Sequence, residues 1–258
     1  MRLDEFSGKT VVVTGAGGGL GSALVDALKM AGAKVTACDL TFDSLSGQHD
    51  VRKHFFDLTD EEATARVART LLAEDGAPDI LINNAGWTTA ESMKSLTTRS
   101  IAAEIAMNLT GVSVFSSMLV AAMADRGRGA VVFVSSVNAL AHFGNPAYSA
   151  AKAGIEAISR AIAVEHGRHG VRSNTVCPGS IRTPAWDKRI ARDPAVMGRL
   201  ARLYPIGRII ECNEVVEAIL FLASGRASAI TGVTLPVDGG LMAGSRTFID
   251  EIVGADPA

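Results

Sequence analysis

Short runs of apolar, often β-branched residues recur along the chain, each bounded by glycine, proline or polar clusters. KTVVVTG, AKVTACDL, RKHFFDL, PDILINNAG, GAVVFVSS, GVRSNTVCPG and GVTLPVDGG give seven candidate strands. Longer stretches between them carry apolar residues at helical intervals. From about Thr98 to Arg126, residues Ile101, Ile105, Leu109, Val112, Phe115 and Leu119 fall three or four apart and predict one long helix with that stripe as its face. AYSAAKAGIEAISRAIAVEHGRHG predicts a second helix, alanine-rich and ending near a glycine stop. Strand and helix alternate throughout, which predicts an α/β doubly wound fold: a seven-stranded parallel sheet covered on both faces.

Residues 183–207 break this rhythm. They hold no β-branched strand run and carry Pro184, Pro194 and Pro205, so they read as an insertion over the carboxyl ends of the strands, where doubly wound sheets bind ligands. Residues 1–258 otherwise read as a single domain, because 258 residues with 48% hydrophobic content can bury one large core. A net charge of −2 gives no reason to expect nucleic acid or an anionic membrane as partner. Acidic residues stand where a secretory signal would need an apolar core, and no uninterrupted apolar run approaches a membrane span, so a cytoplasmic location is expected. Cys38, Cys177 and Cys212 are odd in number and lack ligand spacing. They read as reduced packing residues, and no metal is expected.

The stretch TGAGGGLG, residues 14–21, joins the first strand to the first helix. A glycine turn there offers free backbone N–H groups and the positive end of a helix dipole to an anion. Gly21 is followed by Ser22 with no lysine, which argues against nucleoside triphosphate hydrolysis. Two glycine spacings fit, Gly15/Gly19/Gly21 and Gly15/Gly18/Gly21, and the string does not choose between them. Asp39 ends the second strand, where a carboxylate would accept hydrogen bonds from an adenosine ribose and repel a 2′-phosphate. With no lysine or arginine beside it, NAD is the expected cofactor.

Tyr148 and Lys152 are four apart on the alanine-rich helix and share a face. An ammonium about 5 Å from the phenol, at an effective dielectric near 20, would stabilise phenolate by roughly 3 kcal/mol, or about two pKa units. The predicted result is an acid-base group brought closer to neutral pH.

Taken together, TGAGGGLG, Asp39, NNAG (Asn83 to Gly86), Ser135-Ser136, YSAAK and CPGSIRTP follow successive strands, and ITGVTLPVDGG closes the pattern. In these motifs the chain resembles the short-chain dehydrogenase/reductase family from Gly8 to about Gly244, and the fold implied is the Rossmann fold. The resemblance implies Tyr148 as general acid/base, Lys152 as its partner and a ligand of the nicotinamide ribose, Ser136 holding the reacting oxygen, and Asn108 retaining a proton-relay water. Ser136 lies twelve residues before Tyr148, where the family often has thirteen, so Ser135 remains an alternative.

The resemblance also selects Gly15, Gly19 and Gly21 as the family glycines, with Leu20 offering its N–H and Gly17 and Gly18 left as loop residues. It places Asp57 and Leu58 near the adenine, Asn84, Ala85 and Gly86 along the adenosine side, and Ile181 and Thr183 at the carboxamide. Trp87, Asn138, His142 and Phe143 resemble substrate-pocket walls.

From Arg182 to Arg208 the chain carries seven basic and two acidic residues, a local excess of five positive charges. At least one of Arg182, Arg189 or Arg192 is therefore expected to reach an anionic or polyhydroxylated substrate. The alternative is a solvated amphipathic helix pair, with Trp186, Ile190, Met197, Leu200, Leu203 and Tyr204 simply facing inward. The expected activity is hydride transfer between NAD and a secondary alcohol or hemiacetal hydroxyl on a small molecule such as a sugar, polyol or hydroxy acid. Two other uses of the frame are a catalytically silent NAD-binding regulator and a sugar-nucleotide epimerase or dehydratase. A pure binder has no need of Tyr148 and Lys152 together, and only about 80 residues follow Cys177 to build an epimerase's substrate domain. The long helices resemble those that pack between subunits in this family, which implies a homotetramer or, second, a dimer.

Overall fold

The computed structural model describes residues 5–89 and 91–254. A seven-stranded parallel sheet runs in the order β3-β2-β1-β4-β5-β6-β9. Its strands are β1 (Thr10–Thr14), β2 (Lys34–Asp39), β3 (Arg52–Phe55), β4 (Ile80–Asn83), β5 (Gly129–Val134), β6 (Val171–Pro178) and β9 (Thr234–Val237). The strand order reverses direction between β1 and β4. A crevice therefore opens at their carboxyl ends.

Alternating side chains on the strands feed two cores. On one face Val11, Val13, Ile80, Ile82, Val132 and Val134 pack with helices α1 (Gly19–Met30) and α8 (Cys212–Ala223). On the other, Val12, Leu81, Val131 and Phe133 pack with α2 (Glu61–Asp75), α4 (Val112–Asp125) and α5 (Pro146–His166). Burial on both faces is why these strands read as continuous apolar runs rather than strict alternations.

The long helix departs from its expected form. It begins as α3 (Thr98–Ile105), passes through a wider π turn at Ala106–Gly111, and continues as α4. Beyond the turn Val112, Phe115 and Leu119 are buried as their spacing predicts. Before it the register differs: Ile101 is exposed and Glu104 faces inward, as does Asn108 within the turn. A π turn inserts an extra residue into the helix, so a stripe read at constant period cannot be right on both sides of it.

The expectation concerned uninterrupted apolar runs; with its polar residues included, the helical span Thr98–Asp125 is, at 28 residues, long and apolar enough to cross a membrane by length and composition alone. Here it packs against the sheet, α2 and α5 and carries a buried carboxylate, which fits a core helix.

The insertion forms a short 3-10 turn at Pro184–Trp186, then α6 (Asp187–Arg192) and α7 (Val196–Ala201). A two-stranded ribbon pins its ends, with β7 (Ile181–Arg182) against β8 (Ile210–Glu211). Tyr204 is buried beside it and accepts a hydrogen bond from the Ser180 amide at 2.7 Å. A final short helix, α9 (Arg246–Phe248), follows the sheet.

Candidate active site

The turn after β1 is glycine for steric reasons that differ from place to place. Gly15 has φ +64°, and a side chain there would meet the Ala85 Cα at 2.6 Å. At Gly21 a Cβ would lie 1.9 Å from the Gly15 carbonyl oxygen, which cannot give way. At Gly19 it would meet the Thr183 and Pro184 side chains at 3.1 to 3.3 Å, narrowing the gap between the start of α1 and the insertion. Gly18 caps α1 in an ordinary extended conformation, and its Cβ would make only normal contact. The packing thus separates the two spacings, favouring Gly19 over Gly18.

Gly17, left as a loop residue by the motif, is equally constrained. A Cβ would sit 2.1 Å from the Thr41 carbonyl oxygen, and its N–H donates to Asp39 Oδ2 at 2.8 Å. The signal was a glycine next to an acidic strand end, which only the folded crevice brings together.

Gly15, Gly19, Leu20, Gly21, Asp39, Asp57, Leu58, Asn84, Ala85 and Gly86 all line one crevice beside the start of α1. Asn84 donates to the Gly15 carbonyl at 2.8 Å, and the Ala85 amide to Thr14 Oγ1 at 3.1 Å. The crevice residues fit a dinucleotide. Backbone packed this closely leaves room for a pyrophosphate at the helix start, the lining holds two carboxylates, and it holds no lysine or arginine. Trp87, expected at the substrate, lines this crevice instead, because the chain is still leaving the end of β4 at that point.

A second cavity of about 720 Å³ opens beside it, bounded by Ser136, Asn138, Phe143, Tyr148, Trp186 and Arg189 among others. Thr88 and the carboxyl-terminal residues 244–247 also line it; sequence reasoning missed them because no motif marks a chain end that returns over the sheet. His142 and Arg182 are not part of the lining. His142 is exposed, and Arg182 turns away to Asp187 at 2.9 Å and its own neighbour's carbonyl. The Lys188 side chain falls outside the described part of the structure.

Ser135 and Ser136 diverge. The Ser135 hydroxyl is buried and donates to the Lys152 carbonyl at 3.2 Å, whereas Ser136 faces the cavity with Tyr148 and accepts from the Asn138 amide at 3.2 Å. Tyr148 and Lys152 are held by α5, which starts from Asn145 in the left-handed region at φ 51° with Pro146 next. Asn145 spends its side chain and backbone on Glu91, accepting and donating at 2.9 Å, which fixes where the helix begins.

The expectation of a lowered phenol pKa is not met. Burial pushes Tyr148 up to about 12, against the lowering influence of the neighbouring Ser136 hydroxyl. Lys152 Nζ lies 5.6 Å from the ring centroid, and its hydrogen bond goes to the Val134 carbonyl at 2.8 Å. Burial brings Lys152 down to about 8. Desolvation dominates both groups, and neither shift draws on the other residue.

A sequence profile described as enoyl-(acyl carrier protein) reductase matches residues 15–242. An uncharacterized oxidoreductase of Schizosaccharomyces pombe is 39% identical, with 95% of each chain covered. Cis-4-hydroxycyclohexanecarboxylate dehydrogenase of Sinomonas cyclohexanicum is 37% identical over 93% of this chain and 99% of that one. Among solved structures, an oxidoreductase of the short-chain dehydrogenase/reductase family from Burkholderia thailandensis superposes with a TM-score of 0.88, at 40% identity, covering 96% of this chain and 98% of that one.

Proposed function

Because the chain belongs to the short-chain dehydrogenase/reductase family, oxidoreductases of alcohols and ketones that use a nicotinamide cofactor, we propose that it is an NAD-dependent dehydrogenase of small, polar or anionic secondary alcohols. One observation carries this reading: Ser136 and Tyr148 face a cavity, lined also by Asn138 and Arg189, directly beside a crevice shaped for a dinucleotide.

Bound NAD supplies the hydride acceptor. Gly15, Gly19, Leu20 and Gly21 would hold its pyrophosphate and Asp39 its ribose, with Lys152 towards the nicotinamide end. In oxidation the Tyr148 Oη takes the alcohol proton while Ser136 holds the reacting oxygen. In reduction the same phenol, protonated at ordinary pH, gives that proton to the carbonyl oxygen. Lys152 in its ammonium form stabilises the phenolate as it forms. Comparing Ser136→Ala with Ser135→Ala separates the two serines: kcat is expected to fall at least about tenfold in the first and to hold within about threefold in the second.

Substrate charge is read by Arg189. Of the basic residues in the insertion, Arg182, Arg199 and Arg208 pair with Asp187, Asp193 and Glu214. Among the described residues Arg189 makes no ion pair; its guanidinium stacks 5.1 Å from the Trp186 ring, and both line the cavity with Tyr148. A stacked guanidinium with free donors suits a carboxylate or similar anion. That one relative is named for a hydroxycyclohexanecarboxylate accords with this chemistry.

Arg189→Met is expected to lower kcat/KM for carboxylate-bearing alcohols by about 10- to 100-fold, the worth of one charged hydrogen bond, and to change matched neutral alcohols less than about twofold. Equal losses on both, with no charge preference in the unaltered protein, overturn the substrate assignment. Cofactor binding without turnover across a broad alcohol panel overturns the dehydrogenase reading itself. The reading extends to a homotetramer packed through α4 and α5, whose outer face leaves Val164 82% exposed.

A further inference from the structure

The most unusual charge in the molecule is Glu104. It is 1% exposed, on the helix turn that precedes Asn108, at the flank of the apolar stripe three residues after Ile101. No lysine or arginine pairs with it among the described residues. Its carboxylate instead meets three donors: Thr88 Oγ1 and the Thr89 amide, both at 2.9 Å to Oε1, and Asn108 Nδ2 at 2.8 Å to Oε2. All three partners donate, so the group is held as an acceptor-only carboxylate.

Asn108 completes the arrangement. Its Nδ2 also donates to the Trp87 carbonyl at 2.9 Å and the Glu104 carbonyl at 3.1 Å, while its Oδ1 accepts from the Trp87 amide at 3.2 Å. A methyl group on Gly86 would stand 2.8 Å from Asn108 Oδ1 and 3.1 Å from Lys152 Nζ, so the amide and the ammonium are near neighbours around that glycine. Trp87 lines the cofactor crevice and Thr88 the substrate cavity. Two adjacent residues of one loop thus wall two clefts: Glu104 holds Thr88, and Asn108 of the π turn, itself bonded to Glu104, holds Trp87.

We propose that Glu104 is a positioning residue, which clamps loop 87–89 to the π turn and supplies the buried negative charge that keeps Lys152 an ammonium. The proposal rests on the reading of Tyr148 and Lys152 given above. The ionisable groups around Lys152 are Tyr148 and Glu156 on its own helix, Cys177 from β6 and Glu104 from α3. Tyr148 and Cys177 are both pushed up to about 12 by burial and are neutral at ordinary pH. Glu156 accepts from Cys177 at 3.1 Å and has Arg160 at 3.9 Å. That leaves Glu104 as the carboxylate without a cation of its own. Its charge raises Lys152, opposing the burial that brings the ammonium down to about 8.

The test is Glu104→Gln, which keeps the shape and one acceptor but removes the charge and sets two amides against each other at Asn108. Lysine carbons are labelled, and Lys152 is assigned by the signal lost in Lys152→Met. In the cofactor-free protein Lys152 is expected to titrate near 8, and in Glu104→Gln at least about half a unit lower. In ketone reduction, where the ammonium form is competent, the unaltered enzyme is expected to be flat below that pH and to fall above it. Glu104→Gln moves this limb acidward by the same amount and lowers kcat at least about tenfold, with NAD affinity held within about threefold. Glu104→Asp keeps the charge on a shorter arm. It is expected to leave the titration in place and lose kcat only a few-fold, and it serves where Glu104→Gln does not fold. An unmoved Lys152 titration in Glu104→Gln, or an equally displaced one in Glu104→Asp, overturns the proposal. A displaced titration in a protein that turns over no alcohol leaves the proposal standing and sinks the dehydrogenase reading.

Discussion

Tyr148→Phe is expected to lower kcat by about 10³-fold, with NAD affinity and Tm close to those of the unaltered protein. The magnitude follows from what is removed: one hydroxyl that transfers a proton in the transition state, an effect worth about 10²- to 10⁴-fold. The ring itself remains, and with it the cavity wall beside Ser136 and the surface under Lys152 Nζ. Losing the phenolic hydroxyl is not costly to folding, because it faces the cavity and no side-chain or backbone hydrogen bond among the described residues depends on it. Steady-state rates on the best alcohol, cofactor titration by nicotinamide fluorescence and thermal melting separate these effects. A loss of less than about tenfold removes Tyr148 from the acid-base role. A comparable loss confined to KM would mean that the phenol only binds substrate.

The direction of the Tyr148 shift bears on how such a group works. With the phenol near 12 and the ammonium near 8, the resting pair is neutral phenol beside a lysine close to its own titration point. That suits proton donation to a carbonyl without further adjustment. In alcohol oxidation the phenolate must be stabilised at the moment it forms, and the groups placed to do so are the Lys152 ammonium and the Ser136 hydroxyl.

How far the fold was legible follows from which residues carry signal at short range. Strands buried on both faces are apolar runs between turn residues, and TVVVT or GAVVFV cannot be mistaken for much else. The site was legible where a motif ties chemistry to a strand end, as with Asp39 after β2 or Ser136 after β5. It was not legible where three-dimensional approach decides. Gly17 is forced by Thr41, 24 positions away, and Trp87 is drawn to the cofactor side by the exit of β4. Burial reversed the expected shift of Tyr148, because helical spacing reports the Lys152 neighbour but not the lost water. The π turn at 106–111 carries no sequence signal, and neither does the meeting of Glu104 with Thr88, Thr89 and Asn108. Local irregularity of this kind recurs at functional sites.

Cofactor preference rests on one carboxylate, and the second large effect is expected there. The unaltered protein is expected to favour NAD over NADP in kcat/KM by about 100-fold. A 2′-phosphate carrying nearly two charges would enter a crevice lined by Asp39 and Asp57 with no lysine or arginine in its lining. At about 5 Å each unit of charge on that phosphate is repelled by roughly 1 to 3 kcal/mol between water-like and protein-like dielectrics, so a hundredfold penalty is a modest estimate. Asp39 also organises the turn. It accepts from the Gly17 amide at 2.8 Å, the Leu40 amide at 2.6 Å and the Thr41 amide at 3.4 Å. Asp39→Ala removes the repulsion and at the same time frees three N–H donors that can receive a phosphate oxygen. NADP efficiency is then expected to rise about tenfold or more while NAD efficiency falls by a similar factor, so that the preference disappears or reverses. NADP in the variant should still bind less tightly than NAD does in the unaltered protein, because no cation takes the place of the carboxylate. Initial rates with both cofactors at one fixed alcohol concentration check this. An unaltered protein that prefers NADP, or an Asp39→Ala variant with an unchanged ratio, would remove Asp39 from the cofactor assignment and with it the physical ground for choosing NAD.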